Sequence, residues 1–295
     1  MFKITNDFIK LDKQTMFGKY KFSMRDKMKR WIDKKIKTLN STVTITKEGE
    51  SYYICGSFDV DYKQLQTRVM NSVSLDPGVR TFMTLYSSDG LVGKIGDGII
   101  DKLSVIGKKI DRMTSIITKK EENSKTRRNM KRRCCGLRTK IRNIVTDLHW
   151  KTINFLCLNF RTIIMPNFET SKKVQKSAKC VRQITNVTVR NMLSLSHGKF
   201  LERLKYYAEK SNTQLIITNE EYTSKTCGKC GEIDKKLGGK KMYICEKCGY
   251  KSDRDINGAR NINIKLLSSY KGLDSSPQDV ILLKSHKKSE AIYDA

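Results

Sequence analysis

The chain has 295 residues, 38% of them hydrophobic, which is enough for one full core with appended modules or for two smaller domains. Its 59 Lys and Arg against 30 Asp and Glu leave a net charge of +29, far beyond the magnitude of roughly 2–8 that solubility alone favours, so a polyanionic partner is expected rather than an ordinary basic surface. No run of about 18 apolar residues occurs, and the opening MFKITNDFIKLDK has neither an apolar h-region nor a small-residue cleavage site, so neither a membrane-spanning nor a secreted protein is expected.

In chain order, residues 1–72 read as strands and turns: YKF at 20–22, STVTITK at 41–47 and SYYICGSFDVDY at 51–62 are rich in β-branched and aromatic residues, with KEGES as a hairpin turn. FSMRDKMKRWIDKKI between them reads as a short basic helix. The segment 73–95 is predicted to be a meander, with strand VSL, the turn DPGVR, strand TFMTLYS, the turn SDG and strand LVGKIG.

From about 102 to 160 the pattern turns helical, and Lys119–Lys140 is densely basic between two apolar-periodic flanks, which predicts a helical hairpin with a basic tip. Such a run is either a solvated face or a phosphate-binding one. The near absence of acids after Glu122 favours phosphate contact by Arg127, Arg128, Lys131, Arg132 and Arg133, because each cation placed against a phosphate releases a counterion.

TDLHWKTINFLCLNF (146–160) is amphipathic and leads into the apolar strand TIIM at 162–165, so His149 and Trp150 read as packing residues rather than ligands. GKFLERLKYYAEKSN (198–212) forms a further helix and LIIT (215–218) a further strand, together a βαβ unit. After 223 come a cysteine module, the terminal helix RDINGARNINIKLLSSYKG and a polar tail.

Nine cysteines without a signal peptide point to a reducing compartment and to metal binding rather than disulfides. Cys227, Cys230, Cys245 and Cys248 form two Cys-x-x-Cys pairs separated by fourteen residues, each pair followed by Gly, as in a closed tetrahedral zinc site. Four thiolates leave no open position for a catalytic water, so this Zn²⁺ is expected to hold structure; a redox or iron–sulfur role is the alternative. Acids at the ends of apolar strands or at helix starts form a second constellation: Asp76 after VSL, Glu220 and Glu221 after LIIT, and Asp253 and Asp255 at the opening of the last helix. Phosphodiester hydrolysis with two metals needs carboxylates converging from different elements, whereas a lone acid in such places is more often a turn or N-cap residue, the better reading for Asp253.

SLDPGVRTFMTLY, TNEEYTSKTCGKCG and CEKCGYKSDRDINGARNI resemble, in order and spacing from about Asp76 to Ile264, the RuvC and zinc-ribbon blocks of TnpB proteins and their eukaryotic and viral relatives, the Fanzors. The resemblance implies an α/β fold: an RNase H/RuvC-like mixed sheet with a helical insertion and a four-cysteine zinc ribbon, preceded by a partial N-terminal β-barrel. The implied domains are the barrel at 1–72, the nuclease at 73–222 with its insertion at about 102–160, the ribbon at 223–252, the last RuvC segment at 253–270 and the tail at 271–295. It further implies an intracellular, mobile-element DNA endonuclease that carries a guide RNA and two catalytic Mg²⁺ ions. The expected compartment is the nucleus or a viral replication site for a eukaryotic or viral source, and the cytoplasm for a bacterial one.

Carried over by residue, Asp76 matches the first RuvC aspartate, Asp255 the last, and the four cysteines the ribbon ligands. The family's middle glutamate, at the end of the fourth strand, falls here on Pro166, which cannot bind metal. Many Fanzors resemble this chain in placing a glutamate just before YTSKTC, which is Glu220, with Glu221 beside it; Glu169 is the weaker substitute. The family's N-terminal region is longer than the 72 residues here. An unguided nuclease, a nucleic-acid-binding accessory protein or remnant of a mobile element, and, ranked lower, a DDE-type transposase are the competing readings.

Overall fold

Alternation of apolar and polar residues along a few strands decides this architecture, because each strand sends successive side chains to opposite faces. The computed structural model describes residues 70–119, 124–168, 185–218, 223–234 and 241–271, with isolated strands at 3–4, 8–10, 21–23, 44–48, 51–55 and 281–282. Two compact units divide the chain, one of residues 1–61 with 286–295 and one of residues 62–285. In the first, β1 (Lys3–Ile4), β2 (Phe8–Lys10) and β3 (Lys21–Ser23) form an antiparallel sheet. There β4 (Thr44–Glu48) and β5 (Ser51–Cys55) pair as a hairpin, Glu48 opposite Ser51. The basic helix expected between β3 and β4 lies outside the described residues.

The second unit contains strands β6 (Met70–Pro77), β7 (Met83–Ser87), β8 (Val92–Ile95), β9 (Phe160–Pro166), β10 (Gln214–Thr218), β11 (Met242–Ile244), β12 (Lys251–Asp253) and β13 (Ile281–Leu282). Its helices are α1 (Ile99–Lys119), α2 (Lys125–Asn159), α3 (Asn186–Leu195), α4 (His197–Lys210) and α5 (Arg254–Lys271). Six strands make a mixed sheet in the order β13-β10-β9-β6-β7-β8, with β6, β9 and β10 parallel and the meander β6-β7-β8 antiparallel. Among the described residues no helix is long and apolar enough to cross a membrane.

The two faces of the sheet differ in chemistry. Val73, Leu75, Leu85, Ile163, Met165, Leu215 and Ile217 point to one face and pack with Leu103 of α1, Ile153 and Leu156 of α2, and Phe200 and Leu204 of α4. Each such side chain, fully buried, contributes about 1.5–3 kcal/mol. The residues between them, Ser74, Asp76, Thr84, Ile164 and Ile216, face the other way, where Ile262 and Leu266 of α5 close a small core over Ile164 and Ile216.

Three features go beyond the sequence reading. The basic tip of the expected helical hairpin is itself mostly helical: α1 ends at Lys119, and most of the run is built into the first turns of α2, a helix of 35 residues and hence about 52 Å. Asn186–Leu195 forms a helix that its Val187, Thr188 and Val189 concealed, since β-branched residues are poor helix formers; the Thr185 side chain caps it by accepting from the Thr188 amide at 3.2 Å. Within the expected polar tail, Ile281 and Leu282 pair antiparallel with Ile217 and Ile216 of β10.

His149 is a packing residue, fully buried beside Phe82, whose ring stacks between His149 at 5.1 Å and His197 at 5.0 Å. Its Nε2 donates to the Leu195 carbonyl at 2.9 Å while Nδ1 accepts from Arg203 at 3.1 Å, the one tautomer that satisfies both partners. Burial lowers its pKa from 6.5 to about 4, against the Leu195 hydrogen bond and with help from the Arg203 charge. A depressed pKa in a base means that the unfolded chain binds the proton more readily, so the stability from this residue is complete above pH 6.5 and lost as the pH falls towards 4. Thermal unfolding followed from pH 7 to pH 4 is expected to show a falling Tm, with a flatter fall in His149→Gln.

Candidate functional site

The sequence CGKCG…CEKCG builds two matching knuckles. In each, the glycine after the second cysteine has a positive φ, +77° at Gly231 and +67° at Gly249, and donates its amide to the carbonyl of the first cysteine at 2.9 Å. The first cysteine of each pair also closes its turn by donating its amide, Cys227 to Glu232 O at 2.7 Å and Cys245 to Tyr250 O at 2.9 Å.

The four sulfurs converge to within 4.8 Å of one another, with Cys227 Sγ 3.6 Å from Cys248 Sγ and Cys230 Sγ 3.7 Å from Cys245 Sγ. Tetrahedral zinc with bonds of about 2.3 Å sets its sulfurs about 3.8 Å apart, so the donors fit this ion. Burial raises the Cys227 thiol, but the amides of Cys230 and Lys229 outweigh it and bring the pKa down to about 7. At Cys230 the amide of Glu232 lowers the pKa, yet burial and the three neighbouring thiols push it up to about 12. Four thiolates this close ionise together only around a cation.

Two asparagines one turn apart join this ribbon to α5. Asn257 accepts from the Gly228 amide at 3.0 Å and donates to Thr226 O at 2.8 Å, and Asn261 donates to Thr226 O at 2.6 Å and Thr223 O at 2.8 Å. Both side chains are buried, so these bonds satisfy groups that water cannot reach. A side chain at Gly228 would come within 2.9 Å of Asn257 Oδ1, which is why the knuckle has glycine there.

The same helix lies directly on β6. Ser74 Oγ donates to Ala259 O at 2.7 Å, and a methyl group on Gly258 would come within 2.7 Å of Asp76 Oδ2. Asp76 is thus pressed against α5 at Gly258, and Asp255 stands three residues earlier, on the same side of the helix.

Across the sheet, Asp76 is opposite Thr84, and Thr84 is opposite Lys94. On the other side Ser74 is level with Ile164, and continuing that register by two residues sets Asp76 beside Pro166, itself level with Thr218. Asp253 is an N-cap, its Oδ1 accepting from the amides of Asp255 at 3.0 Å and Ile256 at 3.4 Å. Its Oδ2 receives Lys94 Nζ at 2.6 Å. Burial would raise the Asp253 pKa, but the Lys94 hydrogen bond and the two amides lower it on balance.

The structure therefore gathers the four cysteines and brings Asp76 to the helix that carries Asp255. Glu169, Glu220 and Glu221 lie outside the described residues. Arg128, Lys131, Arg132 and Arg133 are exposed on the first turns of α2 and Arg127 is half-buried there. Lys94, Ser74, Asn257 and Asn261 are missing from the sequence reading; only the i, i+4 spacing of the asparagines in DINGARN signalled a shared helix face.

Because the four cysteines can close the ribbon around a zinc ion and the ribbon grips α5, Cys230→Ser is expected to reduce bound zinc from about one per chain towards zero and to lower the Tm. Metal content by mass spectrometry and melting curves check it, and an unchanged Tm in zinc-free protein overturns it.

The family described as Cas12f1-like, TNB domain matches residues 197–262, a span that takes in α4, β10, the ribbon and the start of α5. The chain is 34% identical over 72% of its length to a protein of Paramecium bursaria Chlorella virus 1 named "Putative transposase", covering 47% of that protein. It is 31% identical over 78% of its length to a TnpB-like protein of Acanthamoeba polyphaga mimivirus, covering 44% of it. It is also 27% identical over 75% of its length to a protein of Escherichia coli named "Putative RNA-guided DNA endonuclease InsQ", covering 55% of it. The chain spans about half the length of the curated relatives it matches. Its ribbon lies inside the family match, and over about three quarters of its length the chain is similar to viral proteins named TnpB-like or putative transposase.

Proposed function

We propose that the chain is an RNA-guided DNA endonuclease of a mobile element, whose RNase H/RuvC-like sheet carries a carboxylate site for Mg²⁺. The observation that supports this most directly is the seating of Asp76 against Gly258, with Asp255 one turn earlier on the same helix. Two carboxylates from a central strand and a crossing helix are the start of a hard-oxygen donor set, which suits Mg²⁺. The neighbouring positions of β9 and β10 also support the reading, because an acid at the end of either strand then serves the same place. Pro166, in the row of Asp76, offers no ligand, and Thr218 ends that row two residues before Glu220 in the sequence. The third carboxylate in this reading is Glu220, with Glu169 as the fallback.

Bound by these acids, a pair of Mg²⁺ ions would supply charge to the phosphate oxygens and acidity to the attacking water. The protein's own part is to hold the donors still: Gly258 leaves room for the Asp76 carboxylate, Asp253 caps the helix, and the two asparagines tie it to the ribbon. The cations of α2 serve the backbone of the nucleic acid. Arg127 and Arg128 sit in the first turn, at the positive end of the helix dipole, where a cation is disfavoured by a few tenths of a kcal/mol to about 1 kcal/mol, and phosphate relieves that repulsion. Guide RNA would supply sequence specificity by base pairing, a reading that the name of the Escherichia coli relative, "Putative RNA-guided DNA endonuclease InsQ", supports.

Asp76→Ala, Asp255→Ala and Glu220→Ala are each expected to abolish cleavage of a guide-matched DNA with nucleic-acid affinity nearly unchanged, since they remove transition-state stabilisation rather than binding. Glu221→Ala and Glu169→Ala should cost much less; a cleaving Glu220→Ala moves the role to Glu169. Neutralising Arg127, Arg128, Lys131, Arg132 and Arg133 should weaken binding to all sequences and flatten its salt dependence by up to about five counterions, at a slope of about 0.9 each for duplex DNA. An unchanged slope would make the cluster a solvated face.

A further inference from the structure

Lys94 and Asp253 are 159 residues apart in the chain, on β8 and at the start of α5, and their charged atoms are 2.6 Å apart. Both side chains are only partly exposed, 25% and 18%, so water screens this pair less than an ion pair on the open surface. Lys94 occupies the same cross-strand row as Asp76, two strands away by way of Thr84. Strands lie about 4.8 Å apart, so two of them span about 9.6 Å, while α5 advances about 7.5 Å from Asp253 to Gly258. The helix therefore crosses the sheet from β8 to β6, pinned at both ends of that short run: by Lys94 at Asp253 and by the close approach of Gly258 to Asp76. Asp255 is the acid between the two pins. Its charge acts on Lys94 together with those of Asp253 and Asp97, after the Asp253 hydrogen bond as the main influence, and this raises the Lys94 pKa.

We propose that the Lys94–Asp253 ion pair is a positioning device that fixes the height of the first turn of α5 above the sheet and so sets the Asp255 carboxylate against that of Asp76 for divalent cation binding. This rests on the reading of Asp76 and Asp255 as metal ligands. Lys94 touches neither the cation nor the substrate; it acts through Asp253 and the helix. A cation placed beside a metal site would otherwise weaken that site by repulsion, which gives the device a signature of its own. If charge alone mattered, Lys94→Met would strengthen divalent binding and Asp253→Asn would weaken it. If position matters, both weaken it, because each releases the same pin.

The test uses the full chain, zinc-loaded, with Mn²⁺ as the probe and electron paramagnetic resonance as the readout, in the absence of nucleic acid. Lys94→Met and Asp253→Asn are each expected to raise the Kd for Mn²⁺ about ten- to a hundredfold, the usual effect of losing a residue that orients a ligand. Asparagine keeps the oxygen that caps the helix, so Asp253→Asn removes the ion pair and leaves the cap. The double variant should bind no more weakly than the weaker single variant, Lys94→Arg should restore most of the affinity, and zinc content should stay at the wild-type value in all of them. Tighter Mn²⁺ binding by Lys94→Met, or wild-type affinity in both single variants, overturns the device. Asp255→Ala separates this from failure of the site itself: if that variant still binds Mn²⁺ like the wild type, the carboxylate site is wrong. If it loses the ion while both pair variants keep it, the site stands and only the ion pair is rejected.

Discussion

The close approach of α5 to β6 is the constraint on which the rest of this unit depends. A helix normally keeps its axis 8–10 Å from what it packs on, a gap filled by side chains. Here Gly258 and Ala259 remove that padding, and Ser74 bonds directly to the helix backbone at Ala259. The consequence is chemical as much as geometric. On this face of the sheet a short polar side chain, Asp76, can reach the helix, while one turn further along the helix Ile262 resumes ordinary apolar packing over Ile164 and Ile216. Polar contact at one end and apolar contact at the other give α5 a single register on the sheet.

The ribbon and the ion pair serve that same register from two directions. Asn257 and Asn261 fasten the side of α5 to the carbonyls at 223 and 226, and Lys94 fastens its first turn to β8. Neither attachment is hydrophobic. Each is a set of directional bonds between partly or fully buried groups, which fixes position within tenths of an ångström, whereas apolar packing tolerates sliding. The apolar face of the sheet, with α1, α2 and α4 upon it, provides the bulk of the burial and hence the stability that such exact polar contacts draw upon.

What was legible in the sequence follows from range. The cysteine ligands were readable because two local turns, each with its own glycine, determine most of the site. The placement of Asp76 at a strand end and of Asp255 at a helix start was readable from the apolar run before the one and the helical pattern after the other. The meander and the strands TIIM and LIIT were readable from their apolar runs. Lys94 was not, since nothing in LVGKIG distinguishes it from any strand lysine until the fold delivers Asp253 to it. The helix Asn186–Leu195 was hidden because tertiary packing of Met192 and Leu195 overrides the weak propensity of NVTV. The helical hairpin with its basic tip was readable from the apolar periodicity of its flanks, though not where α1 stops and α2 begins, because periodicity locates helical segments better than the breaks between them.

The bond from Ser74 to Ala259 spans 185 residues of chain, and that separation has a meaning in time. A ribosome adding 5–20 residues per second needs roughly 10–40 s to make the distance. During that interval β6 and β7 can already pair, and α1 and α2 emerge early enough to cover their apolar face. On β6 and β7 the face that must wait for α5 bears Ser74, Asp76 and Thr84, which water can solvate without driving aggregation. The polarity that lets this face meet the helix backbone so closely in the finished molecule also lets it stand open while the chain is still being made.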